Sequence, residues 1–438
     1  MLLARVAMAG CLIVMAAMAR AAPLPTADRE APAAYVTQKG DTLIGLAQRG
    51  LVKPQDWATL ARINHISRPR QLPVGRALVI PAVLLRREPL TARITAFSGQ
   101  VRIDPGGAAQ VGASVAEGDI IGTGANSFVT LTLIDGSRIT LPSQSRVRIE
   151  ALQRIVLDGR LERRFRIEAG RADFGVTPRE RPTDRFLVKT PVAVAAVRGT
   201  EFRVAHDATT AKSAVSVIEG EVAGRSLARR DETAVAAGSG AVLGAAPTRM
   251  AALLPPPMLD RPGRVQDDPV VALRIAGEGA RRRVQLARDA GFVDLFAETE
   301  TAGDEARFDN VANGTLYVRL TAIDADGVEG LPASYAIERF QTGLEAAAGA
   351  LPGKPRRTQF RWQAIGAGTI SYDFVLARDE ALADRVVDAV GLADPEMTIT
   401  SLQPGDWFWR VTMTVRDGGR SFTRALPVRK LTIAKPER

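Results

Sequence analysis

The sequence predicts a multidomain, mostly β protein: a small βααβ unit, an all-β solenoid-like domain and two β-sandwich repeats. Three observations lead there. At 438 residues the chain is too long for one ordinary core. Through the middle of the chain, apolar and polar residues alternate with the period of two that marks half-buried strands. The last third repeats itself: Leu286-Ala287-Arg288-Asp289 recurs ninety residues later as Leu376-Ala377-Arg378-Asp379, and Asp326-Gly327 recurs at ninety-one as Asp417-Gly418.

Residues 1–21 read as a secretory leader. Arg5 supplies the positive end, Val6 to Met18 form an apolar run too short to span a bilayer, and Ala19-Arg20-Ala21 is a small-x-small cleavage site. Cleavage there places the protein in the periplasm. Met8-Ala9-Gly10-Cys11 loosely resembles a lipoprotein box. Only seven residues precede it and the apolar run continues past Cys11, so Cys11 is read as part of the leader. Residues 22–34, rich in Ala and Pro, read as a spacer.

Composition excludes several kinds of chemistry. Cys11 is the only cysteine, so a processed chain has no thiol for a disulfide, a zinc–thiolate site or a nucleophile. The two histidines, His65 and His206, fall in different units, and no metal site or cofactor is expected. The net charge is +10, or +8 without the leader, spread along the chain and densest over Arg160, Arg163, Arg164 and Arg166. No basic helix stripe or aromatic-studded sheet accompanies it, so nucleic acid is not expected as a partner.

Residues 35–82 contain two short helical patterns between two apolar segments. Tyr35-Val36, Gly40-Asp41-Thr42-Leu43, Leu46-Ala47, Trp57, Leu60, Asn64, Leu72, Val74-Gly75 and Leu78-Val79-Ile80-Pro81 follow in an order that resembles the LysM family. The resemblance implies a βααβ fold that binds N-acetylglucosamine-containing glycans of peptidoglycan or chitin. It implies a groove with Gly40, Asp41, Thr42 and Leu43 on one wall and Asn64, His65, Ile66 and Leu72 on the other. Asp41 can cap the helix that follows and so expose backbone N–H groups to an acetamido carbonyl. Each residue also has a structural reading: Asp41 as a cap only, Leu43 as core, Asn64 as a helix end, His65 as plain surface.

Residues 92–224 are strand-like throughout. Val129, Leu131 and Leu133 alternate with Thr130 and Thr132 up to the Asp135-Gly136 turn, and the alternation resumes at Ile139 and Leu141. Glu117-Gly118-Asp119-Ile120-Ile121, Phe128 to Ser137 and Thr190 to Val204 resemble the FecR family, which implies an all-β, partly solenoid-like domain. In its namesake setting that domain is the periplasmic part of a transmembrane regulator. Here no cytoplasmic helical segment is expected before it and no apolar membrane span interrupts it, so an interaction or scaffold role is what carries over. Within Arg198-Gly199-Thr200, Gly199 is expected to permit a kink and Thr200 to close local hydrogen bonds.

Residues 225–262, rich in Ala, Gly and Pro, read as a linker. Residues 263–345 and 353–436 follow as the two repeats. The period suits sandwiches of about one hundred residues, and the aromatic-rich strand before each Asp-Gly turn resembles fibronectin type III modules. No hydrolase body, nucleophile elbow or phosphate loop stands in a suitable context. The function expected is non-catalytic peptidoglycan binding with a scaffold behind it. The alternatives are a periplasmic signalling adaptor that contacts a membrane sensor and, behind that, a peptidoglycan hydrolase.

Overall fold

The computed structural model describes residues 33–178, 183–197, 199–351, 354–366 and 368–434. The expected leader, all but the last two residues of the spacer, and Arg198 lie outside the described residues. The protein is mostly β, as expected, and its helices are confined to the first unit. Among the described residues no helix is long and apolar enough to cross a membrane.

The first unit is βααβ. Strand β1 (Ala33–Val36) runs antiparallel to β2 (Ala77–Ile80), with Ala33 opposite Ile80 and Val36 opposite Ala77. Between them lie α1 (Leu43–Gly50) and α2 (Trp57–Ile63). Leu43, Leu46 and Ala47 recur at helical spacing on the buried face of α1 and meet Leu60, Leu78 and Ile80. Ile155 and Leu157, from the next domain, complete this core. Gly50 ends α1 against Leu157, where an added Cβ would lie 2.5 Å from Leu157 Cδ1. The backbone N–H of Arg86 donates to the Gly50 carbonyl (2.8 Å) and that of Val52 to Leu84 (2.9 Å). The stretch after α1 thus fastens the unit to its neighbour.

The β domain is two facing sheets. One holds, in order, Gly107–Ala108, Val101–Asp104, Ile120–Thr123, Arg146–Ile155, the first half of Leu161–Gly175, Arg185–Lys189, Ala193–Val197, Glu221–Ser226 and Glu232–Ala236; Arg87–Pro89 pairs with the far end of Arg146–Ile155. The other holds Ser114–Ala116, Thr91–Ser98, Phe128–Thr132, Arg138–Leu141, the second half of Leu161–Gly175, Glu201–Asp207, Lys212–Glu219, Ser239–Leu243 and Arg249–Ala252. The shared strand changes sheets at Gly170, whose φ of 76° and close approach to the Gln144 carbonyl leave no room for a Cβ. From Arg185 onward, successive hairpins alternate between the sheets, which is the solenoid-like character. Phe165, Phe174, Phe186 and Phe202 interlock between them, with ring centroids 4.8–6.4 Å apart. Gly199 takes φ 58°, the expected kink, but among the described residues the buried Thr200 hydroxyl has no hydrogen-bond partner.

The linker expected over residues 225–262 is largely not one. It supplies Glu232–Ala236, Ser239–Leu243 and Arg249–Ala252, and the domain ends near residue 252 rather than 224. Its small residues serve close packing: a Cβ on Gly240 would lie 2.3 Å from Val328 of the first repeat.

Both repeats are sandwiches with the same strand order. The first packs Met258–Leu259, Val271–Ala276 and Glu305–Phe308 against Leu295–Thr301, Arg281–Ala287, Gly314–Ile323 and Glu329–Arg339. The second packs Gly343–Leu351, Lys354–Ile365 and Glu396–Thr400 against Arg385–Leu392, Thr369–Ala377, Gly405–Asp417 and Arg420–Ala425, with Arg429–Ile433 continuing the last edge. The boundary between them is therefore residues 340–342, not the expected 346–352. The first repeat docks on the second sheet of the β domain. There Phe292 and Leu295 meet Phe128, and Thr130 Oγ1 donates to the Val293 carbonyl (2.9 Å).

Candidate functional site

The loops at the two ends of the helical pair in the first unit come together. The N–H of Leu43, at the start of α1, donates to the carbonyl of Pro69 in the loop before β2 (2.9 Å). Beside this junction lies a cavity of about 400 Å³ lined by Ile44, Trp57, Arg68, Pro69, Arg70 and Gln71. Its floor is apolar and aromatic. Its rim carries two guanidinium groups and an amide, which suits a sugar with one apolar face and polar edges.

None of the eight residues expected to form the groove lines this cavity. Asp41 is not the helix cap: Thr42 is, its Oγ1 accepting from the Gly45 N–H (3.0 Å). Asp41 instead locks the loop. It accepts from the Tyr35 hydroxyl (2.8 Å), the Gln38 N–H (2.7 Å) and Arg49 (2.8 Å). Burial pushes its carboxyl up, but these three donors outweigh burial and hold it below the usual aspartate value. Burial, with Asp41 beside it, raises the Tyr35 hydroxyl. Leu43 is fully buried core. Asn64 joins α2 to β2, donating to the Leu60 and Val79 carbonyls (3.0 and 2.8 Å) and accepting the Val79 N–H (2.7 Å). Gly40 (φ 89°) and His65 (φ 53°) are exposed turn residues, and Ile66 and Leu72 are half-buried against the core. Of the two loops expected to form the groove, only the one before β2 lines the cavity, through Arg68 to Gln71; Ile44 and Trp57 come from the two helices. The sequence signal for it is a proline between two arginines after α2, together with a tryptophan that opens that helix.

The β domain has a wider opening of its own, about 570 Å³, lined by residues including Phe97, Gln100, Arg102 and Thr123. His206 is buried, its Nδ1 is 3.1 Å from Ser213 Oγ, and burial holds its pKa below the ordinary histidine value. Ser213 is itself fully buried and donates to Thr190 Oγ1 (2.8 Å), so its hydroxyl proton is turned away from His206. Among the described residues no group of three His, Cys, Asp or Glu is placed to hold a metal ion.

Between the β domain and the first repeat lies a buried ionic cluster that the sequence did not announce. Glu329 receives Arg283 (3.0 Å) from its own repeat and Arg171 (3.0 Å) and Arg203 (3.4 Å) from the β domain. Its backbone N–H donates to Ser216 Oγ (3.0 Å). Burial pushes the Glu329 carboxyl up, but Arg283, Arg171 and Arg203 outweigh it and bring it down to about 2. Burial likewise works against the Arg283 charge, and Glu298, Glu329 and Asp173 override it and raise that guanidinium well above its ordinary value. Charges from both domains meet here, which makes the cluster a fastening between them.

No curated protein matches the chain. Among solved structures it is similar to a putative anti-sigma factor from Parabacteroides distasonis ATCC 8503, at 21% identity over 30% of this chain and 57% of that one, with a TM-score of 0.25. The chain thus spans a little over half the length of that protein. It is also similar to a two-domain fibronectin type III segment of chicken tenascin (11% identity, 40% of this chain, 99% of that one, TM-score 0.20) and to the fibronectin(III)-like modules of Clostridium thermocellum CbhA (14%, 41%, 94%, 0.18). Two segments match family models: residues 35–81 match the LysM domain and residues 119–223 match the FecR protein family.

Proposed function

We propose that this is an exported, non-catalytic envelope protein that holds peptidoglycan through residues 35–81 and presents the β domain and its sandwiches as a scaffold behind that grip. The observation that carries the reading is the Trp57–Pro69 cavity, which lies within the LysM match, between the starts of the two helices and the loop before the last strand of the unit. The glycan's apolar ring face packs on Trp57, Ile44 and Pro69, and Gln71 and the arginines reach its polar edge. A shallow groove with few polar anchors gives a Kd on the order of 10–1000 μM for short oligomers.

Because Ile155 and Leu157 complete the core of this unit, the test uses the full chain. It is expected to co-sediment with insoluble peptidoglycan and to be released by soluble N-acetylglucosamine oligomers. Gln71→Trp, an exposed rim position, fills the cavity without touching the core and is expected to abolish retention. Retention that Gln71→Trp leaves intact contradicts the reading. A second reading rests on the FecR match: the two-sheet domain as a periplasmic adaptor for a membrane sensor. Co-purification of one inner-membrane protein from envelope digested free of peptidoglycan would favour it.

A further inference from the structure

We propose that Arg68 and Arg70 make this groove prefer an anionic, muramoyl-containing glycan over a neutral N-acetylglucosamine polymer; the proposal rests on the glycan-binding reading above. Both arginines line the cavity, one on each side of Pro69 in the chain. The turn that carries them is fixed. The Pro69 carbonyl accepts from Leu43, and the Gln71 N–H donates to the Arg68 carbonyl (3.0 Å). Among the described residues neither side chain has an ion-pair or hydrogen-bond partner. Elsewhere in the same unit Arg49 is paired with Asp41, and Arg76 donates to the Asn64 carbonyl (2.6 Å). Two cations held on a rigid loop, without counter-charges, at the rim of a sugar-sized cavity await an acid from outside.

The charge of the whole unit points the same way. Residues 35–81 hold seven Lys or Arg against two Asp, a net +5 and half of the chain's +10. The excess is therefore not spread evenly, as the reading of the whole sequence had it. Asp41 is occupied by Tyr35, Gln38 and Arg49, and Asp56 pairs with neither rim arginine. Peptidoglycan alternates N-acetylglucosamine with N-acetylmuramic acid. The lactyl group of the latter ends in a carboxylate or in a stem peptide that carries carboxylates; chitin has neither. A guanidinium fork matches a carboxylate with two parallel N–H···O bonds, and a neutral polymer gives it no such partner.

The test titrates the full-length protein with two tetrasaccharides of equal length, one alternating N-acetylglucosamine with N-acetylmuramic acid and one of N-acetylglucosamine alone. At low salt the muramoyl tetrasaccharide is expected to bind about five- to twentyfold more tightly, the scale of two partly exposed charge-assisted contacts. At 1 M salt, where the Debye length is roughly 3 Å, the ratio should fall toward one. Arg68→Gln with Arg70→Gln should bind both sugars with the wild-type affinity for the neutral one. Arg62→Gln, an exposed charge outside the cavity, should keep the full ratio. Equal binding of both sugars by the wild type, a ratio that survives in the double variant, or one that Arg62→Gln lowers equally overturns the proposal while leaving glycan binding in place. Failure to bind either sugar overturns the glycan-binding reading itself. Displacement by a short DNA duplex but by neither sugar reassigns the arginines to nucleic acid and overturns both.

Discussion

The two sandwich repeats share one strand order and one loop device, yet the first docks on the β domain while the second packs on the first, through Phe422 on Phe340 and Arg424 on Asp268. In each, an aspartate ends a central strand and folds the next loop over its carboxylate. Asp289 accepts from the Val293 and Asp294 N–H groups, and Asp379 accepts from Ala383 and Asp384. In each, the fourth residue of that loop takes a positive φ, 53° at Phe292 and 59° at Leu382. Phe292 packs against Phe128 of the β domain, while Leu382 packs only within its own repeat, against Val375 and Ala377. Where the first repeat places the buried Glu329, two residues after its Asp-Gly turn, the second places the exposed Arg420, paired with Glu338 at 2.6 Å. One scaffold thus joins the β domain in one copy and only its sister repeat in the other, and a few outward-facing residues decide which.

The largest expected effect sharpens that contrast. Glu329→Gln leaves the buried Arg203 and Arg283 without their shared carboxylate, which costs about 3–5 kcal/mol. The first repeat should undock, seen as fast hydrogen exchange at the residue 329 amide and through the strand Lys212–Glu219. Arg420→Ala removes only an exposed pair worth about 0.2–1 kcal/mol and should leave both repeats in place. Comparable losses in the two variants would break the comparison.

Acid should separate the repeats next. The Glu329 carboxyl is held at about 2 in the folded protein, below the unfolded glutamate value of about 4.3. A depressed carboxyl contributes stability that is present above the unfolded value and is lost as pH falls through the folded one. The joint should hold at pH 5, weaken below pH 4 and open toward pH 2, while the second sandwich, with no acid so deeply paired among the described residues, keeps its own fold longer. A scattering profile that does not change between pH 5 and pH 2 would contradict this.

Smaller still is the loop device. Asp379→Ala should speed exchange at Ala383 and Asp384 and change nothing beyond the loop. Asp289→Ala should do the same at Val293 and Asp294 and also loosen the Thr130–Val293 contact with the β domain. If the two variants have the same reach, the loop of the first repeat is not part of the joint.

What the sequence made legible follows the same division between local and distant physics. Strand alternation around Val129 to Leu141, the repeat at offset ninety and the order of apolar landmarks in residues 35–81 depend on neighbours within a turn or a hairpin, and they were readable. The Ala/Gly stretch from residue 225 was misread because small residues signal a flexible chain and a tightly packed strand alike; only Val328 across the interface tells them apart. Arg171, Arg203 and Arg283 looked like surface charge because their acid, Glu329, lies 46 to 158 residues away in the chain. In the groove, Asp41 looked like a cap because both it and Thr42 can cap. Which one does so depends on Tyr35 and Arg49 claiming the carboxylate first.

The central claim is that residues 35–81 bind glycan at the Trp57 cavity. It is tested most directly by following the four indole N–H resonances of the full-length protein during titration with N-acetylglucosamine tetramer. Trp57 lines the cavity, whereas Trp362, Trp407 and Trp409 are buried in the second sandwich. The account expects the Trp57 signal, identified by its loss in Trp57→Phe, to shift saturably while the other three stay fixed. No shift at millimolar tetramer, or shifts confined to the sandwich tryptophans, would contradict it.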